Sequence, residues 1–348
     1  MMGVYLDQRS QIQLMTEEAD RMLRAQQEAY VAALQMRYQE FAERVVNDAK
    51  ALRSDIMDTY GLSEPNISEY KRFAGDYKIA KAIQDEIRRL NGYVDTDFLN
   101  QMRSVYQDSY NANAWVLDES TPENLDINYK LPPEFEMRQF VSQPWSGAMF
   151  SQRIGVINDA MARDIQSEVA QSMLSGDSAR DLAKRIERVI GDGESDYSYR
   201  AKMISRTELL RASNLGRSAI WDENEDIIDD WIWVTRAMMS GRLCDECAER
   251  SGKGYDEVQE LAIEQEMDGE PPAHPNCACG WMPKVKEWKD LLPPEMAKRM
   301  VDMGPTAMVW KVPQETIPSK MQGFAKVEPM EYTSWADEYL DPDERGNL

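Results

Sequence analysis

The chain has 348 residues and a formal net charge of −22, with 62 Asp and Glu against 40 Lys and Arg. Such an acidic surface is unsuited to binding nucleic acid, because neutralisation of the phosphates requires clustered basic residues. Any DNA contact is therefore expected to be local. No apolar run approaches the roughly 20 residues that cross a bilayer, and the N-terminus lacks a signal-peptide pattern. We therefore expect synthesis in a cytoplasm, where cysteines are more often metal ligands or free thiols than disulfides.

The first predicted element is one long helix from about Gln8 to Tyr60, because this stretch contains neither Pro nor Gly. Its apolar residues recur every eleven positions in two series: Ile12, Leu23, Leu34, Val45 and Ile56, and Ala19, Tyr30, Phe41 and Leu52. Eleven residues over three turns give about 3.67 residues per turn, which is close to a straight helix. The pattern predicts a narrow buried seam, either against this chain or against another subunit.

Further helices are predicted along the next 160 residues. They cover about Ser68–Leu90, Asp97–Tyr110, Phe150–Leu174, the stretch before Gly191, and Ser198–Trp221, with residues 111–133 expected to be irregular. The helix at Ser68–Leu90 is rich in Lys and Arg. This basic face fits a solvated surface or, alternatively, a local phosphate-facing patch.

The pattern then changes to β-branched and aromatic residues. Two short strands are predicted at Asp230–Thr235 and near Gly280–Val285, with an acidic helix at about Asp256–Met267 between them. Beyond Lys286 the chain is rich in Pro and acidic, which is typical of an extended arm with little core of its own.

The sequence thus predicts a mainly α fold with long helices, a helical bundle and a small β-hairpin. Four consecutive segments are expected: an N-terminal helical region with the long helix (1–135), a helical core (136–228), a zinc-binding β subdomain (229–285), and an extended acidic, Pro-rich arm (286–348).

All four cysteines and the single histidine fall within 36 positions. They are Cys244, Cys247, His274, Cys277 and Cys279, in the pattern C-x2-C, 26 residues, H-x2-C-x-C. Zn²⁺ prefers four thiolate or imidazole ligands in a tetrahedron, and two close clusters of such donors supply that geometry. The sequence therefore predicts a structural zinc site that holds the β subdomain together and contributes to its folding.

Other readings of the same residues remain open. Disulfides are disfavoured by the cytoplasmic context, and a Cys–His nucleophile pair would leave three further cysteines unexplained. Catalytic zinc requires an open coordination position and a carboxylate base, for which Glu246 and Glu249 are the candidates. With five donors for four positions, Cys244, Cys247 and Cys279 are the favoured ligands, and His274 and Cys277 compete for the fourth place.

These residues carry a resemblance to a known family. The run from Cys244 to Cys279, with Pro271-Pro272-Ala273-His274-Pro275-Asn276 ahead of the last cysteines, resembles the Mu F-like minor head proteins of tailed bacteriophages. Upstream features agree in order: Pro144-Trp145-Ser146-Gly147 with Phe150 and Arg153, Gly176-Asp177-Ser178 with Leu182-Ala183-Lys184, and Ser205-Arg206-Thr207-Glu208. The resemblance covers about 144–283. It departs from the family at Ala278, where many members have an arginine.

The resemblance implies a structural protein, not an enzyme, that takes part in phage head morphogenesis and in DNA packaging or ejection. It implies a place in the virion, inside the capsid near the portal vertex, with the portal and other head proteins as partners and possible non-specific contact with packaged DNA. The alternatives are a metal-dependent hydrolase or nuclease, a toxin-like enzyme, and a zinc-ribbon adaptor of the host. Arg206, Thr207 and Glu208 have no evident ligand role, and we expect them to serve in helix packing, with Ser205 and Glu208 at capping-box spacing.

Overall fold

The computed structural model describes residues 8–60, 75–121, 125–145, 147–175, 177, 179–190, 196–235, 244–295, 298 and 330–348. The predicted fold class is confirmed, because these residues are mainly helical and contain a two-stranded antiparallel sheet. The elements are α1 (Gln8–Tyr60), α2 (Gly75–Tyr93), α3 (Leu99–Ser120), α4 (Glu134–Ser142), α5 (Phe150–Ser175), α6 (Ala179–Ile190), α7 (Asp196–Asp222), β1 (Ile228–Val234), α8 (Asp245–Arg250), α9 (Tyr255–Glu264), β2 (Gly280–Val285), α10 (Trp288–Leu291) and α11 (Tyr332–Tyr339). Among these helices, none is both long and apolar enough to cross a membrane.

Helix α1 has the predicted bounds, and its apolar seam is buried within this chain. Ile12, Leu23, Leu34 and Val45 are at most 4% exposed. Because burial of an amphipathic face supplies most of the stability of a helix, this seam fixes α1 by tertiary packing. The intramolecular reading of the eleven-residue repeat is thus the one that the structure supports.

One helix prediction needs correction. Helix α3 continues to Ser120, although residues 111–133 were expected to be irregular. Asn111 and Asn113 lower helix propensity, but both are fully buried and hydrogen-bonded, with Asn113 Nδ2 donating to the Ser109 carbonyl at 2.7 Å. The described part of helix α2 is Gly75–Tyr93, and residues 68–74 of the helix predicted at Ser68–Leu90 lie outside the described part of the chain.

The chain forms two compact units. The first, called here the hairpin unit, comprises Met1–Gln27, Met102–Val141 and Leu209–Leu348. The second, called the helical unit, comprises Glu28–Gln101 and Ser142–Glu208. The division into four consecutive segments stays a prediction.

The hairpin unit takes its name from strands β1 and β2, which confirm the two predicted strands. They pair antiparallel with Trp233 opposite Trp281, and the register is irregular between Ile228 and Asp230. Both tryptophans are fully buried, and their rings meet edge to face at 5.1 Å between centroids. Aromatic pairs of this kind stabilise a sheet beyond the area that they bury.

The hairpin shares one core with the helices of its unit. Buried residues of this core come from every part of the unit: Ile12, Leu23, Trp115, Trp221, Trp233, Val258, Trp281, Tyr332 and Trp335, together with Cys247, Cys277 and Cys279. The zinc-binding segment was expected to be a small subdomain held together by its metal. In the structure, its apolar side chains join a larger core, and this burial contributes stability independently of any metal.

Helices α3 and α7 of this unit approach each other closely at Gly216. A Cβ atom at this position would overlap the backbone oxygen of Tyr106 and lie 3.1 Å from the nitrogen of Tyr110. Since backbone atoms of a buried helix cannot move aside cheaply, only glycine fits here.

We expect Gly216→Ala to lower the free energy of unfolding by about 1–3 kcal/mol through overpacking. Urea denaturation followed by far-ultraviolet circular dichroism measures the loss. The matched control is Gly155→Ala in α5, where an added Cβ meets no atom within 4 Å. This variant should be neutral or slightly more stable, because alanine favours the helix. Equal changes in the free energy of unfolding for the two variants would contradict the close approach of α3 and α7 at Gly216.

The helical unit is held by a buried polar chain as well as by apolar packing. Tyr38 Oη donates to Asn158 Oδ1 at 2.7 Å, and Asn158 Nδ2 donates to Asn91 Oδ1 at 2.6 Å. Phe98, in the short π-helical stretch between α2 and α3, stacks on Phe150 with ring centroids 4.4 Å apart. Satisfied networks of this kind fix the relative positions of the helices that carry them.

The last 19 residues pack along α3 of the hairpin unit. Trp115 Nε1 donates to the Met330 carbonyl at 2.7 Å, and Trp335 Nε1 donates to Asp118 Oδ2 at 2.9 Å. Helix α11 therefore lies within the segment predicted as an extended arm, and Trp335 is buried in the common core. Residues 330–348 thus pack against α3 of the same chain.

Asp108 anchors the end of this segment. Its carboxylate is fully buried and accepts the Asn347 N–H at 2.7 Å, the Ser104 hydroxyl at 3.1 Å and the Gln26 amide. Burial nevertheless raises the pKa of Asp108 above its ordinary value of 3.8, because desolvation disfavours the charged form.

This shift predicts a pH dependence of stability. A carboxyl group with a raised pKa in the folded state stabilises most below its unfolded pKa, and this contribution is lost as the pH rises through the folded pKa. Asp108→Asn cannot ionise, so its stability relative to the wild type should improve as the pH rises from about 4 to 7. Urea denaturation at several pH values tests this, and a constant difference between the two proteins would contradict it.

Candidate metal centre

The first pair of candidate ligands lies at the start of helix α8. Cys244 is the residue before the helix, and its Sγ accepts the backbone N–H of Cys247 at 3.4 Å. The helical turn therefore brings both sulfurs to the same end of α8. Cys247 is buried, whereas Cys244 is half-buried.

The second cluster is formed by a tight turn that leads into β2. The Cys277 N–H donates to the His274 carbonyl at 3.1 Å, and Asn276 inside this turn has a φ of 62°. Asparagine tolerates this left-handed conformation better than other non-glycine residues. The turn therefore places the side chains of His274 and Cys277 on the same side as the first pair.

The two clusters meet in space. His274 Nε2 lies 3.2 Å from Cys244 Sγ and 3.3 Å from Cys247 Sγ, and Cys247 Sγ lies 3.9 Å from Cys277 Sγ. Zinc bonds of about 2.3 Å to sulfur and 2.0 Å to nitrogen place tetrahedral neighbours about 3.8 Å (S to S) and 3.5 Å (S to N) apart. The observed spacings approach these values, so each of these pairs could occupy neighbouring positions on a tetrahedral metal ion.

The orientation of His274 fits the same role. Its Nδ1 lies 2.9 Å from the Pro275 carbonyl, which can only accept a hydrogen bond, so Nδ1 carries a proton. Nε2 is then the atom that faces the two sulfurs. A hydrogen bond from the other ring nitrogen to a carbonyl is the usual way in which proteins orient a metal-binding imidazole.

The electrostatics of the cluster favour a cation. The hydrogen bond with Cys247 lowers the pKa of the Cys277 thiol well below its ordinary range, and the hydrogen bond with Cys277 raises that of Cys247. Hydrogen bonding to Cys277 also raises the pKa of His274 to about 9. Without a metal ion, these shifts pair a buried thiolate with an imidazolium, and a bound metal ion would replace the protons because its ligands must be deprotonated.

Two groups of donor atoms within 4.8 Å of one another could hold a metal ion: Cys244, Cys247 and His274, and Cys247, Cys277 and Cys279. Neither group contains a carboxylate. Of the two candidate bases, Glu249 Oε2 accepts from the Gln265 amide at 2.9 Å, and Glu246 is exposed. The arrangement therefore suits the holding of a metal better than the activation of a bound water.

Two buried arginines that the sequence analysis did not single out support the centre. Arg250, in α8, donates to Gln265 Oε1 at 2.8 Å and to the Asp268 carbonyl at 2.6 Å, and it stacks on the Trp233 ring. Arg217, in α7, donates to the Trp281 carbonyl at 2.6 Å. Both are fully buried, which nothing in the local sequence indicates for an arginine.

The Arg206-Thr207-Glu208 motif serves in packing, as expected, but not through a capping box. Ser205 lies inside α7, and its hydroxyl donates to the Ala201 carbonyl at 2.7 Å. Glu208 is buried and pairs with Arg153 at 3.0 Å, whereas Arg206 forms an exposed pair with Glu28 at 2.7 Å. The motif therefore lies within a continuous helix and acts through partners that are distant in sequence.

Arg153 joins this motif to the Trp145–Ala148 turn. Its guanidinium donates to the Trp145 and Ala148 carbonyls and lies over the Trp145 ring, 4.9 Å from the centroid. Two upstream features of the family resemblance thus form one cluster in the helical unit. A planar guanidinium that satisfies several acceptors at once has no equivalent among the other side chains.

We expect Glu208→Gln to lower the free energy of unfolding by about 3–5 kcal/mol, because it breaks a largely buried ion pair. The matched control is Glu28→Gln, which removes the exposed partner of Arg206 and should cost at most about 1 kcal/mol. Thermal and urea unfolding of both variants give the two values. Similar losses in the free energy of unfolding for the two variants would contradict the expectation that burial makes the Arg153–Glu208 pair more stabilising than the exposed pair.

One comparison with known proteins gives a match to part of the chain. Residues 163–282 match the family model described as "Phage Mu protein F like protein". This segment contains α6, α7, β1, the start of β2 and all five candidate ligands. The resemblance predicted from the sequence is therefore confirmed over these residues, which are about a third of the chain. Comparisons with curated proteins and with solved structures gave no match.

Proposed function

We propose that this chain is a structural minor head protein of a tailed bacteriophage. In this proposal it lies inside the capsid near the portal vertex and assists head morphogenesis and DNA packaging or ejection. The observation that carries the proposal is the family match over residues 163–282, which includes α6, α7, β1 and the five candidate ligands. Burial of Cys247, Cys277 and Cys279 in a common core supports a structural role for the site.

The proposed metal is zinc, held by ligands from among Cys244, Cys247, His274, Cys277 and Cys279. A mixed thiolate and imidazole donor set selects zinc over Mg²⁺ or Ca²⁺, which prefer oxygen ligands. When bound, zinc would link α8 to the turn before β2 through four ligands. Residues of the chain position these ligands: Asn276 shapes the turn, the Pro275 carbonyl orients His274, and Arg250 holds α8 in place.

The proposed partners are the portal protein and other head proteins. Contact with packaged DNA is proposed only as local and non-specific, because a net charge of −22 repels phosphate over most of the surface. Near the metal centre, the stretch from Tyr255 through Glu270 contains seven acidic residues and no Lys or Arg. The hairpin is therefore not proposed to read DNA sequence.

Purified particles test the location. Mass spectrometry should detect the chain at a fixed ratio to the coat protein, and protease should digest it only after the particles are opened. Affinity capture of the portal ring should retain it, while an abundant non-structural phage protein serves as the negative control. Absence from washed particles would refute a structural role, and digestion in intact particles would refute the interior location.

The competing function is a metal-dependent hydrolase or nuclease. We propose no enzymatic activity, since the donor groups contain no carboxylate base among the described residues. Incubation of the zinc-loaded protein with single- and double-stranded DNA tests this proposal, with Glu246→Gln as the informative variant. DNA cleavage by the wild type that is lost in Glu246→Gln would show that the protein is an enzyme.

A further inference from the structure

Helix α9 of the hairpin unit carries an exposed row of acidic residues. Asp256, Glu260 and Glu264 follow one another at intervals of four residues, and all three are exposed. Residues four apart lie on one face of a helix, so the row runs along one side of α9 for about 12 Å. Helix α9 contains four acidic and no basic residues, so its own charges do not neutralise the row. Ile263 lies on the same face and, at 79%, is the most exposed large apolar side chain among the described residues.

Asp256 also lines a cavity of about 400 Å³ at the start of α9. Five carboxylates line this cavity, Asp256 among them, together with the rings of Trp231 and Tyr255. The centroids of the two rings are 5.6 Å apart and their planes meet at 79°. One of the five carboxylates, Asp229, pairs with Lys284. Guanidinium and ammonium groups are attracted both by carboxylates and by aromatic faces, so this surface fits a partner that presents Arg and Lys side chains.

Helix α6 of the helical unit carries a row of the opposite charge. Arg180, Lys184 and Arg188 have the same four-residue spacing as the acidic row, and all three are exposed. Asp181 and Glu187 lie on either side of this basic row, and Asp181 Oδ1 is 3.8 Å from Lys184 Nζ. Because both members of that pair are exposed, their attraction is weak and leaves the row available to a partner.

The stability of the two helices does not account for these rows. Like charges four residues apart repel each other on the surface of a helix. Arg180 lies in the first turn of α6, and Glu264 is the last residue of α9, so the helix dipole disfavours both charges. A row of opposite charge from outside the helix offsets both effects. Each helix is therefore expected to gain stability when such a row is placed against it.

We propose that the acidic row of α9, with its adjoining cavity, binds the basic row of α6 in a second copy of this chain. The occupant is a second copy because the two rows have opposite charge, the same spacing and the same length. A contact of this kind joins two different surfaces, so it repeats head to tail and builds a ring or an open chain of copies. The inference goes beyond the proposed function, because it holds whether or not the chain belongs to a phage head.

Sedimentation velocity of the full chain tests the proposal. We expect the wild type to self-associate at about 0.1 M salt and to dissociate at about 1 M, because the Debye length falls from about 10 Å to about 3 Å. Glu260→Lys with Glu264→Lys, called the acidic-row variant, should weaken self-association by about tenfold or more, since like charges then face each other. Lys184→Glu with Arg188→Glu, called the basic-row variant, should have a similar effect for the same reason.

The matched control is Glu18→Lys with Glu43→Lys. It makes the same change in net charge as the acidic-row variant, at two exposed positions of α1 outside both rows. This control should associate at least as strongly as the wild type, because it lowers the net negative charge and leaves the contact intact. Far-ultraviolet circular dichroism checks that all the variants are folded.

An equimolar mixture of the acidic-row and basic-row variants tests whether the two rows meet. Each variant alone presents like charges at the contact, whereas in the mixture every contact between unlike copies again pairs opposite charges. We expect the mixture to self-associate at about 0.1 M salt as the wild type does, although each variant alone is mainly monomeric.

Three results would overturn the proposal: a wild type that is monomeric at about 0.1 M salt, row variants that associate like the wild type, and a mixture that stays monomeric. The basic row has one other candidate partner, the phosphates of DNA. If the basic-row variant lost affinity for double-stranded DNA while its self-association was unchanged, the row would face phosphate, and the proposed contact between copies would be wrong.

Discussion

Cys247→Ser is expected to abolish stoichiometric zinc binding and to destabilise the hairpin unit by several kcal/mol. Cys247 belongs to both donor groups, so its loss removes a ligand whichever four side chains bind the ion. Structural zinc contributes roughly 10–16 kcal/mol to the folding of isolated zinc-finger peptides. The loss here should be smaller, because Trp233 and Trp281 remain buried in a core shared with helices.

Metal analysis and thermal unfolding in the presence and absence of a chelator measure this effect. The wild type should lose stability when chelator is added, whereas Cys247→Ser should be unaffected, because the two perturbations remove the same interaction. Near-ultraviolet circular dichroism reports whether the packing of the hairpin tryptophans loosens. Equal stability of the wild type with and without chelator would contradict a structural metal.

Arg217→Met is expected to lower the free energy of unfolding by about 3–5 kcal/mol. Arg217 is fully buried, pairs with Asp20 of α1, and donates to the Trp281 carbonyl of β2. Removal of the guanidinium leaves the Asp20 carboxylate at a site that is only 11% exposed and leaves a strand carbonyl without this donor. Urea denaturation gives the loss in free energy.

The double variant Arg217→Met with Asp20→Leu provides the control. Replacement of a buried ion pair by apolar side chains of similar size is often neutral, so the double variant should be more stable than Arg217→Met alone. The coupling energy from this cycle isolates the pair from the packing of the methionine. A double variant that is as unstable as the sum of its singles would show that Arg217 acts through other contacts.

Elements whose signals are local were predicted well from the sequence. Helix α1 coincides with a stretch that contains neither Pro nor Gly, and this was visible in the sequence. The eleven-residue repeat identified residues that are buried, such as Leu23 and Phe41. Both strands were recognised because aromatic and β-branched side chains favour a pleated, half-buried surface. Helix α3 was predicted to end at Tyr110, since its asparagines lower helix propensity and Asn111 donates to the carbonyl of Glu344, which is far away in the sequence.

For the metal centre, the sequence by itself determined that five soft donors lie within 36 positions and that a metal is the simplest reason for them. Only the tertiary structure decided how they approach one another, with Cys247 common to both groups of donor atoms. It also decided that the hairpin shares its core with α1, α3 and α11, and that Arg217, Arg250 and Glu208 are buried with partners. Spacing along a chain limits which ligands can meet, but burial and ion pairing arise between segments that the sequence does not show to be neighbours.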